Sequence, residues 1–146
     1  MDYVVAAIVS ITLKEPTFSL VLPAGFQASN DEEGLHCICK SPPAILRFTA
    51  EKVEDKDALP NLSRMLAGFL TRMGHPVATD ELLKLNSVPG AYGFCWQYAE
   101  DDKFQKFWLF GNEASWFFMT LVTAENDKDT LHEPIQQMVK TIRLEV

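Results

Sequence analysis

The chain is poor in positive charge: 13 Lys and Arg stand against 20 Asp and Glu, a formal net charge of −7. Nucleic acids and anionic membrane surfaces are bound through basic patches, so neither is expected as a partner. Cysteine is sparse and odd in number, with only Cys37, Cys39 and Cys95. Small secreted domains carry dense, even sets, so reduced thiols and a cytoplasmic location are the expectation. Cys37 and Cys39 lie two apart; on a strand they share a face, and a bridge that short would be strained. Long apolar runs are also missing. The segment Tyr3–Leu13 is interrupted by Lys14, Glu15 and Pro16, well short of the roughly 20 residues that span a bilayer, and no Lys or Arg precedes it as in a secretory leader. It reads as a strand rich in Val and Ile, and no membrane insertion is expected. Internal repeats and low-complexity tracts are absent.

What remains is the composition of an ordinary globular protein, 47% apolar and 23% charged, sized for a single domain over residues 1–146. After the first strand, Phe18–Leu22 is a second, closed by a turn at Pro23, Ala24 and Gly25; Asn30–Gly34 is a polar turn. Leu35–Lys40 and Ile45–Glu51 form a strand pair around Pro42 and Pro43. In the latter strand Leu46, Phe48 and Ala50 alternate with Ile45, Arg47 and Thr49, one face buried and the other mixed.

The charged run Glu51–Asp57 leads into a helix. Leu62, Met65, Leu66, Phe69, Leu70 and Met73 fall on one stripe, with Pro60 placed in the first turn and Gly74 as the stop. Val77–Asn86 reads as a strand with helical character over Asp80–Leu83, and Pro89 with Gly90 turns the chain. An antiparallel meander follows: Ala91–Ala99, Phe104–Gly111 and Ser115–Thr123, whose links are short enough only for hairpins. A second helix is expected over Asp129–Thr141, with Leu131, Ile135, Met138, Val139 and Ile142 on one side. Thr130 and Glu133 have capping-box spacing, and Pro134 fits only if the helix starts close to it. Ile142–Val146 reads as a short edge strand.

The meander is apolar on both faces. Tyr92, Phe94, Trp96 and Tyr98 share a face of their strand, as do Phe104, Trp108 and Phe110, and Trp116, Phe118 and Val122, while Phe107 and Leu109, then Phe117, Met119 and Leu121, point the other way in their strands. Such a sheet must be covered on both sides or present one to a partner. The expected architecture is α+β: a twisted antiparallel sheet with two main helices packed on it in an α/β/α-type sandwich.

No constellation for chemistry stands out. His36, Cys37 and Cys39 supply soft metal ligands, but His36 faces away from the cysteines on a strand and there is no CxxC, so the thiols read as core and no metal or other cofactor is expected. His75 follows a helix stop and His132 sits in a first helical turn; neither is placed with a nucleophile in any hydrolase, kinase or dinucleotide-binding pattern, and no enzyme activity is expected. The acidic groups Asp31–Glu33, Glu54–Asp57, Glu100–Asp102 and Glu125–Asp129 fall at turns, without calcium-loop spacing. If several converge at one end of the sheet, they would form a patch for a basic partner.

The strand Phe18–Phe26 ends in Leu-Pro-x-Gly-aromatic, Pro89–Trp96 is a Pro-Gly turn entering an aromatic strand, and Ile135–Leu144 closes the chain with a helix and tail. In these pieces and their order the sequence resembles the PsbP-like superfamily. That group includes the extrinsic photosystem subunit, a Ran-binding import factor and small bacterial proteins of unknown role. The resemblance spans most of the chain through structural motifs of low specificity. It implies a fold whose members mostly bind proteins and do no chemistry; one bacterial branch resembles chaperones for the apolar segments of type VI effectors, and no residue here assigns that branch.

Three functions stay open. The first is a non-catalytic protein-binding or adaptor module, working through Trp96, Tyr98, Trp108 and Trp116 or through a free sheet edge, where a homodimer also becomes possible. The second is the effector chaperone, which requires exposed Trp on an open concave sheet. The third is a ligand-binding or enzymatic domain with a pocket between helices and sheet; a pocket joining His36 or His75 to carboxylates would speak for chemistry.

Overall fold

The computed structural model describes residues 11–14, 17–32, 34–54 and 61–144. The expectations for residues 3–10, for Pro60 and for the charged run beyond residue 54 lie outside the described residues. The elements are β1 (Ile11–Lys14), β2 (Phe18–Leu22), β3 (Phe26–Asp31), β4 (Gly34–Lys40), β5 (Pro43–Lys52), α1 (Leu62–Arg72), β6 (Leu83–Leu85), β7 (Tyr92–Glu100), β8 (Lys103–Gly111), β9 (Ser115–Ala124), α2 (Lys128–Thr141) and β10 (Arg143–Leu144).

Two antiparallel sheets result. The large one runs β3-β4-β5-β9-β8-β7-β6, and the small one β1-β2-β10. A first meander, β3 to β5, builds half of the large sheet. The chain then crosses through α1 to the far edge, and a second meander, β6 to β9, returns to the middle, where β9 pairs with β5 from Ala44↔Thr123 to Lys52↔Ser115.

Strand alternation separates two cores. On one face Leu46, Phe48, Trp108, Phe110, Phe117 and Met119 meet β2 and α2. Phe18 of β2 lies 4.7 Å from Phe117 and 6.0 Å from Phe48, ring centre to ring centre, which ties the small sheet to the large one. On the other face Phe107, Leu109 and Phe118 meet Leu62, Leu66 and Leu70 of α1. The expected two-sided sandwich is therefore present, with α1 on one side and α2 plus the small sheet on the other.

Local signals explain the elements. The Asn61 side chain accepts from the Arg64 N–H at 3.2 Å as the α1 N-cap. At the other end Gly74, with φ of 93°, lets the His75 N–H reach the Leu70 carbonyl at 2.8 Å. Asp101 and Asp102, with φ of 53° and 63°, make the β7–β8 turn, as a primed hairpin turn requires.

Three expectations are corrected. The polar turn expected at Asn30–Gly34 is narrower, because Phe26–Asp31 is strand β3 and Gly34 opens β4; of β3 only Phe26 reaches the core, and as an edge strand it is held by its ladder to β4. The strand expected over Val77–Asn86 shrinks to a short 3₁₀ turn, Thr79–Glu81, and the three residues of β6, because the Glu81 carboxylate accepts from the Ala78 N–H and holds the chain in a turn. The Thr130–Glu133 capping box does not form, and Pro134 lies inside α2. A 3₁₀ turn at Glu125–Asp127 starts the winding earlier, and Glu133 instead accepts from Gln137 at 2.7 Å.

Two glycines give predictions of opposite sign. A Cβ on Gly93 would be driven into the Leu109 carbonyl oxygen and the Phe110 ring, whereas one on Gly68, mid-helix in α1, meets nothing within 4 Å. Chemical denaturation should find Gly93→Ala destabilised by about 1–3 kcal/mol and Gly68→Ala stabilised by about 0.5–1 kcal/mol. The buried Cys37 thiol is pushed from 9.0 to about 12 by desolvation. Below pH 9.0 it is protonated in both folded and unfolded chains. Between pH 9.0 and about 12 only the unfolded chain gives up the proton, so stability falls across that window. Denaturation midpoints measured against pH should decline more steeply there for the wild type than for Cys37→Ala.

Candidate ligand-binding site

α2 is held on the sheet asymmetrically. Its last turn is bound to β2, where the Val21 N–H donates to the Thr141 hydroxyl at 2.8 Å, and β10 pairs with β2 immediately afterwards. β2 in turn sits over β5 and β9 through Phe18. Toward β7 and β8 the helix side chains do not fill the gap, and a trough of about 460 Å³ opens there. That lies within the size range of small-molecule sites, about 300–1,000 Å³.

The trough follows from two periodicities. Phe104, Lys106 and Trp108 occupy alternate positions of β8 and form the floor with Gln97 of β7 and Leu121 of β9. Leu131, Ile135 and Val139 are spaced by four along α2 and form the roof. A parallel row on the helix, Lys128, His132, Gln136 and Lys140, makes the rim, with Asp129 at one end.

Lys106 stands where β8 alternation calls for an apolar side chain. It is half-buried, its Nζ lies 5.0 Å over the Trp108 ring, and Gln97 and Leu121 flank it in register. Among the described residues it forms no ion pair; Lys128, by contrast, lies 3.9 Å from Glu125, with its Nζ 5.7 Å over the Phe104 ring. Burial raises the nearby Cys95 thiol above its ordinary value, with the Lys106 charge working in the opposite direction.

The four aromatic residues singled out in the sequence are divided between faces. Trp108 is 3% exposed and belongs to the trough floor. Trp96, Tyr98 and Trp116 are half-buried on the α1 side. There Trp96 and Tyr98 stack at 5.8 Å, the His75 ring lies 4.5 Å from Tyr98, and Trp116 meets Phe69 of α1 at 6.0 Å. α1 does not reach the next row across this face: Tyr98, Gln105, Val122, Ile45 and Ile38 are register neighbours, and Ile38 is 40% exposed.

Cys37, Cys39 and Cys95 are buried on the trough side of the sheet, with His36 on the opposite face as alternation requires. Among the described residues no three His, Cys, Asp or Glu gather as a metal site. Neither His36 nor His75 lines the trough; the histidine that does is exposed His132. Two acidic groups converge: the Glu125 N–H donates to the Asp102 carbonyl at 2.8 Å, bringing Glu100–Asp102 and Glu125–Asp129 to one end of the sheet. Lys106 carries a signal in the sequence that the motifs above do not include: its phase with Phe104 and Trp108 marks a cation on an apolar strand face.

No helix among the described residues is long and apolar enough to cross a membrane. No family model and no curated protein matches the chain in sequence. Solved structures match it in fold. A crystal structure from Bacteroides thetaiotaomicron VPI-5482 aligns over 88% of this chain with a TM-score of 0.59 and 11% identity, and the chain spans only 45% of that protein. LpqN of Mycobacterium tuberculosis, a protein involved in cell envelope biogenesis, aligns over 94% of this chain and 91% of its own, with a TM-score of 0.51 and 10% identity. The solution structure of cyanobacterial PsbP (CyanoP) from Synechocystis sp. PCC 6803 aligns over 96% of this chain and 94% of its own, with a TM-score of 0.53 and 9% identity. Identities this low speak for architecture and not for activity. A twisted antiparallel sheet covered by a helix on each side, matched along almost the whole cyanobacterial chain, gives this protein the PsbP-like α+β fold.

Proposed function

We propose that this chain is a non-catalytic binding module whose ligand lies in the trough between α2 and the sheet. The observation that carries the reading is the trough itself: about 460 Å³, with an apolar roof, a mostly apolar floor, and polar side chains at Lys106, Gln97, Ser87 and the rim. Sites for small molecules combine a mostly apolar lining with a few convergent polar groups in this way. Burial pushes the Cys37 thiol up to about 12, which speaks against that residue as a nucleophile, since a nucleophilic cysteine needs the opposite shift. Three unbridged cysteines also support a reducing, cytoplasmic setting.

A protein-binding role has its own support on the α1 side. The row from Tyr98 to Ile38 lies beyond α1, and Met73 at the helix end is 48% exposed. A protein partner, or a second copy of the chain along edge strand β3, would attach there.

The two surfaces are separable by experiment. N-phenylnaphthylamine, an uncharged probe that fluoresces in apolar surroundings, is expected to bind the wild type. Gln136→Trp, an exposed position on the trough rim, should weaken that binding about tenfold, or ~1.4 kcal/mol, while Met73→Ser on the opposite face leaves it unchanged. The reverse pattern would move the site to the α1 face, and failure of the wild type to bind the probe would remove the trough reading.

A further inference from the structure

We infer that the trough takes an amphipathic monoanion, an alkyl or aromatic body bearing one carboxylate, with that carboxylate on Lys106. The inference rests on the binding reading above and names the chemical class of the ligand.

The argument begins with charge. A chain carrying −7 repels anions in general, yet this trough gathers Lys106, Lys128 and Lys140 against the single carboxylate of Asp129. Lys128 is already drawn to Glu125 at 3.9 Å and Lys140 is exposed on the rim, which leaves Lys106 as the half-buried cation on the trough floor, without an ion pair among the described residues. Its position is costly for folding. The site between Phe104 and Trp108 on the inner face of β8 would be better filled by Val or Ile if packing alone mattered, because Lys must order a long, flexible stem to bring its ammonium to the trough. The Trp108 ring, 5.0 Å from Nζ, offsets part of that cost.

A ligand carboxylate supplies the rest through a charge-assisted hydrogen bond. Gln97, the register partner of Lys106, also lines the trough and carries a side-chain amide that can donate to the second carboxylate oxygen. The body of the ligand then lies on Trp108 beneath Ile135 and Val139. One charge is favoured over several, because Asp129 and the Glu125 that engages Lys128 stand at the same end of α2 and oppose a polyanion. An uncharged analogue leaves Lys106 unpaired, so discrimination between acid and alcohol is the property to measure.

The experiment is displacement of N-phenylnaphthylamine from the full chain by decanoate and by decanol. Decanoate is expected to displace the probe at a concentration at least tenfold lower than decanol, although decanol is the more apolar of the two. Lys106→Gln should abolish that preference while keeping probe and decanol binding, which also reports that the variant is folded. Lys106→Arg should retain the preference. Equal displacement of probe from the wild type by acid and alcohol, or a preference that survives Lys106→Gln, would overturn this inference and leave the trough as a neutral apolar site. A wild type that fails to bind the probe, decanoate or decanol would bring down the trough reading, and this inference with it.

Discussion

The structure depends on one constraint, a strand that must be covered on both sides. Phe107, Trp108, Leu109 and Phe110 are consecutive in β8 and all are buried. Because successive side chains of a strand point to opposite faces, no single layer can bury them. Full burial of each large apolar side chain stabilises by roughly 1.5–3 kcal/mol, so exposing either face would cost more than a small domain can lose. The register carries the same demand into β9, where Phe117 and Met119 face one way and Phe118 the other. α1 answers it on one side. On the other, α2 and the small sheet answer it together.

Neither cover is complete, and the incompleteness is where function has room. An α1 of 11 residues is about 16 Å long, while seven strands extend about 29 Å across the sheet. One short helix covers Phe107, Leu109 and Phe118, while in the neighbouring row Tyr98, Gln105, Val122 and Ile45 are half-buried and Ile38 is exposed. On the opposite face α2 is the longer helix, but the Val21–Thr141 hydrogen bond and the β10–β2 pairing draw its end toward the small sheet. The gap then falls over β7 and β8, beneath Ile135 and Val139, where Lys106 is the one floor residue with a full charge.

Much of the fold was legible in the residues because it rests on local rules. The α1 stripe, the Gly74 stop and the β7–β8–β9 meander all follow from periodicity and turn chemistry. β3 was not legible, since an edge strand with one neighbour needs little apolar alternation, and after the buried Phe26 its side chains from Gln27 to Asn30 are exposed. Pro134 misled for a related reason. Its missing N–H argues for a helix starting beside it, but the 3₁₀ turn at Glu125–Asp127 and the packing of Leu131 and Ile135 fix α2 earlier. Of the site, Lys106 was readable as a cation out of phase with its strand, and the helix row of Lys128, His132, Gln136 and Lys140 as a polar flank. That they face one cavity was not.

The sequence alone determined the layers of this protein: a two-faced antiparallel sheet, two amphipathic helices, buried thiols and an acidic, polar exterior. Those properties are set by hydrophobic period, by turn residues and by composition, each of which acts over a few neighbouring positions. Tertiary structure alone decided how far each cover extends, and so placed Trp108 under the trough and Trp96, Tyr98 and Trp116 on the opposite face. The offset of α2 arises from contacts between residues more than a hundred positions apart, such as Val21 and Thr141. No local pattern encodes a distance of that kind. It emerges only when the small sheet packs on the large one and draws the end of α2, beside it on the same face, toward β2.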